Sequence, residues 1–175
     1  MTILVNSLRS ILYLVVVWLV LFPIITFLHE CGHALAVLAL TGQDVTILLG
    51  SGRRGMKWQW GKLGVVVGWL TGFVGFTKYD QERLTSRQIL WVTLAGPLVS
   101  LLLTVACSAP AFTRGIPQGF VILMRIVAYA TLAQFLFTIL PLRYPRWLLA
   151  YGGKTSDGWR ALQLLRVKFL ASTHK

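Results

Sequence analysis

Residues 11–41 read ILYLVVVWLVLFPIITFLHECGHALAVLALT, an apolar stretch in which the charged or imidazole side chains are His29, Glu30 and His33. About 20 mainly apolar residues are enough to cross a bilayer, so the stretch predicts a membrane-spanning helix over about 8–41. At about 1.5 Å per residue, that helix is longer than the hydrocarbon core. We therefore expect His29 and His33 to lie inside the membrane, towards its cytoplasmic half.

The rest of the chain predicts two more spans and a final surface helix. Apolar segments at about 88–107 and 119–141 are long enough to cross the bilayer, and residues 157–170 predict a helix at the membrane interface. Pro23 predicts a kink in the first element and leaves open whether that element is one helix or two. The fold class expected is an all-α polytopic membrane protein with about three transmembrane helices, forming a single domain over 1–175.

The connection over residues 42–80 has a different pattern. Val45–Leu49 is a short, partly β-branched run, and residues 57–60 alternate as a strand does. These features predict a membrane-associated β-hairpin or re-entrant segment. A four-residue spacing of glycines would also suit a helix-packing face, formed by Gly64, Gly68 and Gly72.

Composition and charge agree with a membrane protein. Hydrophobic residues make up 56% of the chain, and the mean hydropathy is +0.71. The net charge of +12 does not indicate nucleic acid binding, because the basic residues collect in two connecting regions. These are Arg53, Arg54, Lys57, Lys62, Lys78, Arg83 and Arg87 in the first region, and Arg143, Arg146, Lys154, Arg160, Arg166, Lys168 and Lys175 in the second. Connections rich in basic residues thus alternate with connections poor in them. This pattern predicts an outside N-terminus, a cytoplasmic C-terminus and basic loops against anionic lipid headgroups.

The N-terminal apolar run is interpreted as a retained span, because it lacks a processing signal and leads directly into His29 and Glu30. Cys31 and Cys107 both lie in apolar segments and predict no disulfide framework. No organelle-targeting pattern is evident. The expected location is the plasma membrane of a bacterium or archaeon.

The segment His29-Glu30-Cys31-Gly32-His33 has the form His-Glu-x-x-His, which has a physical logic on a helix. Residues four apart share a helix face, so His29 and His33 can both bind one Zn²⁺ ion. Glu30 can then take a proton from a water molecule that the metal activates. Ionisable residues inside a span are costly and by default indicate a functional site. Cys31 points away from the histidine face and is expected to pack.

A catalytic zinc site needs a third protein ligand, and local sequence leaves that ligand open. His174 lies near the C-terminus, and the acidic residues of the basic connection suit ordinary charge pairing: Asp44, Asp80 and Glu82. Asp157, in Thr155-Ser156-Asp157-Gly158, precedes a predicted helix. It could be a metal ligand, or it could be the N-cap of that helix, which local sequence slightly favours.

Three motifs resemble the site-2 protease family of intramembrane metalloproteases. They are His29-Glu30-Cys31-Gly32-His33-Ala34-Leu35, Ala95-Gly96-Pro97-Leu98-Val99-Ser100 and Asp157-Gly158, in an order and spacing that cover about residues 10–165. The resemblance implies that His29, His33 and Asp157 bind zinc and that Glu30 is the general base. It corresponds to a minimal form without an appended peptide-binding domain.

The sequence departs from the family pattern in two places. Thr138, in Thr138-Ile139-Leu140-Pro141, occupies the place where the family often has an asparagine. About fifteen residues also separate Pro141 from Asp157, more than in the compact form of the motif. Asp157 must therefore fold back from a loop, which the Gly152-Gly153 pair would allow.

The function expected is an intramembrane zinc metalloprotease that hydrolyses a peptide bond in or near a transmembrane segment of a membrane-protein substrate. Residues 57–67 are hypothesised to bind the unwound substrate at a sheet edge, and Gly96 and Pro97 to let the second span approach the first closely. The alternative is a non-catalytic zinc-binding membrane scaffold or pseudoprotease. A metal transporter would need ionisable residues on several spans, and the second and third predicted spans offer only Arg125. A regulatory membrane partner and a homo-oligomer both remain open.

Overall fold

A computed structural model describes residues 2–50, 55–68, 74–148 and 151–173. Its helices are α1 (Thr2–Thr41), α2 (Ser86–Ser108), α3 (Gln118–Ile139) and α4 (Asp157–Thr173), and its strands are β1 (Val45–Leu49), β2 (Gly55–Trp60), β3 (Leu63–Gly68) and β4 (Gly75–Lys78). Short 3₁₀ turns lie at Gln81–Arg83 and Ala109–Phe112.

Three helices of the described chain are long and apolar enough to cross a membrane. They comprise Leu19–Thr41, Ser86–Phe112 and Gln118–Ile139, so the prediction of three candidate spans in a mostly helical chain is confirmed. The first element is a single helix that continues through Pro23, which answers the question of one helix or two. The C-terminal helix begins at Asp157, as predicted, and ends at Thr173.

The connection between α1 and α2 forms a four-stranded sheet of order β2-β3-β1-β4, which is larger than the predicted hairpin. β2 and β3 do form an antiparallel hairpin around Gly61, whose φ of 56° suits glycine in a tight turn. β3 also pairs in parallel with β1, and β4 pairs with the other edge of β1. Because β3 is a strand, Gly64 and Gly68 do not form a helix-packing face. Gly72 lies outside the described residues.

The sheet packs its apolar face on α1. Alternate residues of β1 are buried, and they join a core with α1, β3 and α2 that comprises Val45, Ile47, Leu49, Ala34, Val37, Val65, Leu84 and Val92. Cys31 packs against this core, as the sequence analysis expected. A β-carbon at Gly32 would lie 2.6 Å from the carbonyl oxygen of Ala95, so small residues allow α1 and α2 to approach closely next to the histidines.

The chain between α3 and α4 begins and ends at almost the same place. Ser156 N donates to Leu142 O at 3.0 Å, and Tyr144 N donates to Lys154 O at 2.9 Å. Between these two pairs, Arg143 and Thr155 form an antiparallel bridge. We call residues 143–155 the excursion. These bonds join the two ends of the excursion. Asp157 therefore lies close to the end of α3, although the two are far apart in sequence.

Candidate metal centre

His29, His33 and Asp157 come together in the structure as a group that can hold a metal ion. The two Nε2 atoms of the histidines lie 3.3 Å apart, and Asp157 Oδ2 lies 3.4 Å from each of them. Both histidines are buried, with relative exposures of 3% and 7%. Three potential ligand atoms thus form a nearly equilateral triangle between α1 and the start of α4.

The ring orientation of each histidine is fixed by a contact from α2 at its other nitrogen. His33 Nδ1 donates to the carbonyl oxygen of Val92 at 2.7 Å, and His29 Nδ1 is paired with Ser100 Oγ at 2.9 Å. A proton on Nδ1 of His33 leaves the lone pair of Nε2 free to face the triangle. Such outer hydrogen bonds are typical of histidines that bind metals.

Gly96 provides the space in which the two imidazoles lie. A β-carbon there would be 2.8 Å from His29 Nε2 and closer still to His33 Nε2. The close approach of α2 that the sequence analysis expected from Gly96 is therefore present, and the backbone of α2 forms one wall of the candidate centre.

Ser156, rather than Asp157, is the N-cap of α4. Ser156 Oγ accepts from Trp159 N at 3.2 Å and from Leu142 N at 3.0 Å, and donates to Leu140 O at 2.6 Å. The interpretation of Asp157 as the cap is therefore wrong. Adjacent serine and aspartate are both good caps, and the contacts of Ser156 with the end of α3 decide between them. The carboxylate of Asp157 is left free for the histidines.

Burial opposes ionisation of Asp157, but the histidines outweigh burial. His33 and His29 together hold the pKa of Asp157 well below its ordinary value. The carboxylate is therefore ionised at neutral pH, which is the form that binds a cation. Gly158 makes its position possible, because a β-carbon there would overlap the carbonyl group of Ile139.

Glu30 is buried beside the triangle but is not a member of it. Its Oε2 accepts a hydrogen bond from the hydroxyl of Thr77 on β4 at 2.7 Å. A β-carbon at Gly75 would lie 2.7 Å from Glu30 Oε1, so β4 passes directly over this carboxylate. The sheet thus fixes the position of the Glu30 carboxylate.

All four predicted site residues line one cavity of about 790 Å³. Its walls come from α1, β4, α2, α3, α4 and the excursion. Several polar side chains for which the sequence predicts no role line the cavity or support the histidines, namely Thr77, Thr93, Ser100, Gln134 and Tyr151. No spacing in the sequence marks these residues as a group, because they come from β4, α2, α3 and the excursion.

Two tyrosines of the excursion cover the cavity next to β4. Tyr151 OH accepts from Gly75 N at 3.3 Å, and the Tyr151 ring lies 5.7 Å from that of Phe76 and 5.4 Å from that of Tyr144. Burial raises the pKa of Tyr151 and raises that of Tyr144 to about 12. Both hydroxyls therefore remain protonated at neutral pH.

The other acidic candidates lie away from this centre. Asp80 pairs with Arg83 at 3.0 Å and accepts from Glu82 N, which is the charge pairing and capping expected of it. Asp44 is exposed. His174 lies outside the described residues.

No protein-family model matches the sequence, and no curated protein matches it either. The resemblance to the site-2 protease family therefore depends on the three sequence motifs alone.

Proposed function

We propose that the protein is an intramembrane zinc metalloprotease of the site-2 protease type. The observation that carries the proposal is the triangle formed by His29, His33 and Asp157, with the carboxylate of Glu30 beside it in the same cavity. Two histidines and one carboxylate make a typical donor set for a catalytic zinc site with an open position, and Glu30 beside them is a candidate base.

The dimensions of the triangle fit zinc. The edge of a regular tetrahedron is about 1.63 times the distance from its centre to a corner. Edges of 3.3 and 3.4 Å therefore correspond to a centre about 2.0–2.1 Å from each atom, which matches Zn–N and Zn–O bonds. His29, His33 and Asp157 would hold the ion.

The residues of the chain suit peptide hydrolysis. A zinc ion held there supplies Lewis acidity and makes a water molecule easier to deprotonate. Glu30 would accept that proton and return it to the leaving amine. The Thr77 hydroxyl donates to Oε2 of Glu30 and so orients the carboxylate for this exchange.

Position along α1 supports a substrate within the membrane. His33 and His29 precede Thr41 by eight and twelve residues, which corresponds to about 12 and 18 Å along the helix. With Thr41 near the cytoplasmic boundary, both histidines lie inside the bilayer. We infer that the substrate is a transmembrane segment of another protein, cut towards the cytoplasmic side of a prokaryotic plasma membrane. The N-terminus would be outside and the C-terminus cytoplasmic.

The strand that accepts an unwound substrate is β4 rather than the predicted 57–67 segment. β3 is paired on both sides and has no free edge. β2 is an edge strand but contributes no residue to the described cavity lining, whereas β4 contributes Gly75, Phe76 and Thr77. By alternation of the antiparallel ladder, Gly75 and Thr77 direct their backbone groups away from β1, where a new strand could pair.

One observation favours the alternative, a zinc-binding scaffold or pseudoprotease. The hydroxyl of Thr138 donates to Gln134 O at 2.9 Å within its own helix, so it offers no donor to a substrate in place of the family's asparagine. Intact Glu30 opposes this alternative, because a structural zinc site has no need of a base.

The first test is the zinc content of purified, detergent-solubilised protein. We expect about one zinc per chain in the wild type and in Asp80→Ala, a matched acidic control, and little in His33→Ala or Asp157→Ala. Glu30→Gln should keep the metal and lose cleavage of a membrane-protein substrate. Wild-type protein that binds no zinc after reconstitution would refute the proposal, and cleavage retained by Glu30→Gln would refute the role of Glu30.

A further inference from the structure

Two polar atoms in the wall of the cavity lack hydrogen-bond partners among the described residues. They are Thr93 Oγ1 on α2 and Gln134 Oε1 on α3, and both atoms are buried. The whole of Thr93 has a relative exposure of only 2%. Most buried polar atoms in proteins are paired, so two unpaired ones in a single cavity require an explanation.

The surroundings of these atoms make the lack of partners costly. Val92, Ala133 and Phe137 form the neighbouring wall and provide no polar side chains. A buried acceptor without a donor loses the hydrogen bond that it would make with water. A bound molecule that supplies the missing groups would remove this cost.

Gln134 also lies one helical turn before Thr138, on the same face of α3. Because the Thr138 hydroxyl is bonded within its own helix, the amide of Gln134 is the group through which this face can bind a polar ligand.

We propose that Gln134 and Thr93 form a subsite that binds backbone amide groups of an unwound peptide. Gln134 Oε1 accepts an N–H of the peptide, and the Thr93 hydroxyl donates to a peptide carbonyl. This inference rests on the proposed function, since it places the substrate of the metal centre against α2 and α3.

The chemistry of the subsite selects for an extended chain. In an α-helix the backbone N–H and C=O groups are already bonded to one another, so a helical transmembrane segment has none to offer. An unwound segment exposes both kinds of group, and in an apolar cavity each needs a partner. Gln134 and Thr93 are therefore positioning residues that favour the unwound form of the substrate.

The test measures binding with probes that chelate zinc. Acetohydroxamate carries the chelating group alone, and acetyl-Leu-Leu-Leu-hydroxamate adds a short peptide. Two further probes carry an N-methyl group on one or the other of the inner amides. Dissociation constants are measured with zinc-loaded wild type, Gln134→Leu, Thr93→Val and the control Gln163→Leu, whose site on α4 is exposed.

We expect all four proteins to bind acetohydroxamate equally. The peptide probe should bind about tenfold more weakly to Gln134→Leu and to Thr93→Val than to the control. N-methylation at one of the two positions should weaken binding to the wild type about tenfold and leave binding to Gln134→Leu unchanged. This last comparison identifies a hydrogen bond to Gln134, which a purely structural role would not produce.

Two outcomes would overturn the inference, and they differ. If the peptide probe binds all four proteins equally and N-methylation has no effect, the cavity wall does not bind backbone groups, although the metal centre stands. If acetohydroxamate fails to bind the wild type, the metal centre fails and the subsite fails with it. Zinc content and melting temperature of each variant identify any that misfolds, and the N-methyl comparison in the wild type needs no variant.

Discussion

Gly96 of α2 lies directly against the imidazole of His33, with no room for a β-carbon between them. The same glycine faces His29 Nε2. The candidate centre thus depends on a residue that contributes no side chain, and it forms only where two helices come into backbone contact.

The substitution Gly96→Ala should therefore damage the metal centre more than the fold. The added methyl group displaces one or both imidazoles, so we expect zinc affinity to fall at least tenfold, while the helix itself loses nothing in propensity. Zinc titration measures the change. Gly119→Ala is the matched control, because a β-carbon at Gly119 meets nothing within 4 Å. Equal zinc affinity in the two variants would contradict this account of Gly96.

Ser156→Ala should weaken the start of α4 and, with it, the position of Asp157. Loss of the cap costs about 1 kcal/mol, and the bonds to Leu140 and Leu142 are lost as well. We expect a lower melting temperature and reduced zinc affinity. Thr85→Ala removes the cap of α2 and is a suitable comparison. It should lower stability by a similar amount but leave zinc affinity unchanged, and a similar loss of zinc in both would count against the specific role of Ser156.

Thr77→Val should separate catalysis from metal binding. The substitution keeps the shape of the side chain but removes the hydrogen bond that orients Glu30 Oε2. We expect normal zinc content and a fall of about 10–100-fold in turnover, part of what general-base catalysis contributes. Thr46→Val on the adjacent strand β1 provides the control. Turnover at the wild-type level in Thr77→Val would show that Glu30 needs no support from the sheet.

The local features of the site could be predicted from sequence, whereas its distant contacts could not. His29 and His33 are one helical turn apart, so their shared face follows from helix geometry alone. The approach of Asp157 depends on the closed base of the excursion, formed by long-range backbone bonds that no periodicity reports. The sheet shows the same limit. The β2–β3 hairpin follows from the alternation of residues within a short segment, but the parallel pairing of β1 with β3 joins strands that are not consecutive, so no short stretch of sequence predicts it.

Tyr151→Phe should make the edge of β4 more accessible. The outward N–H of Gly75 donates a hydrogen bond to the hydroxyl of Tyr151. Without that hydroxyl, the same N–H could donate to a carbonyl of an incoming peptide. Removing the hydroxyl costs little stability, because the ring contacts with Phe76 and Tyr144 remain. We expect kcat/KM for a transmembrane substrate to rise about two- to fivefold, mainly through a lower KM. Tyr129→Phe, an exposed tyrosine on α3, is the control. A lower kcat/KM in Tyr151→Phe would indicate that the hydroxyl assists the substrate instead of blocking it.

Removal of the metal should destabilise the protein by loosening α4 from α1. His29 and His33 belong to α1 and Asp157 begins α4, so an ion held by all three links elements that are distant in sequence. Free zinc at 1,000 times its dissociation constant stabilises the folded state by about 4 kcal/mol. We expect a strong chelator to lower the melting temperature of the wild type by several degrees. The Asp157→Ala variant should already melt lower and respond little to the chelator. A wild-type melting temperature unaffected by the chelator, at a zinc content shown to have fallen, would mean that the ion does not join the two helices.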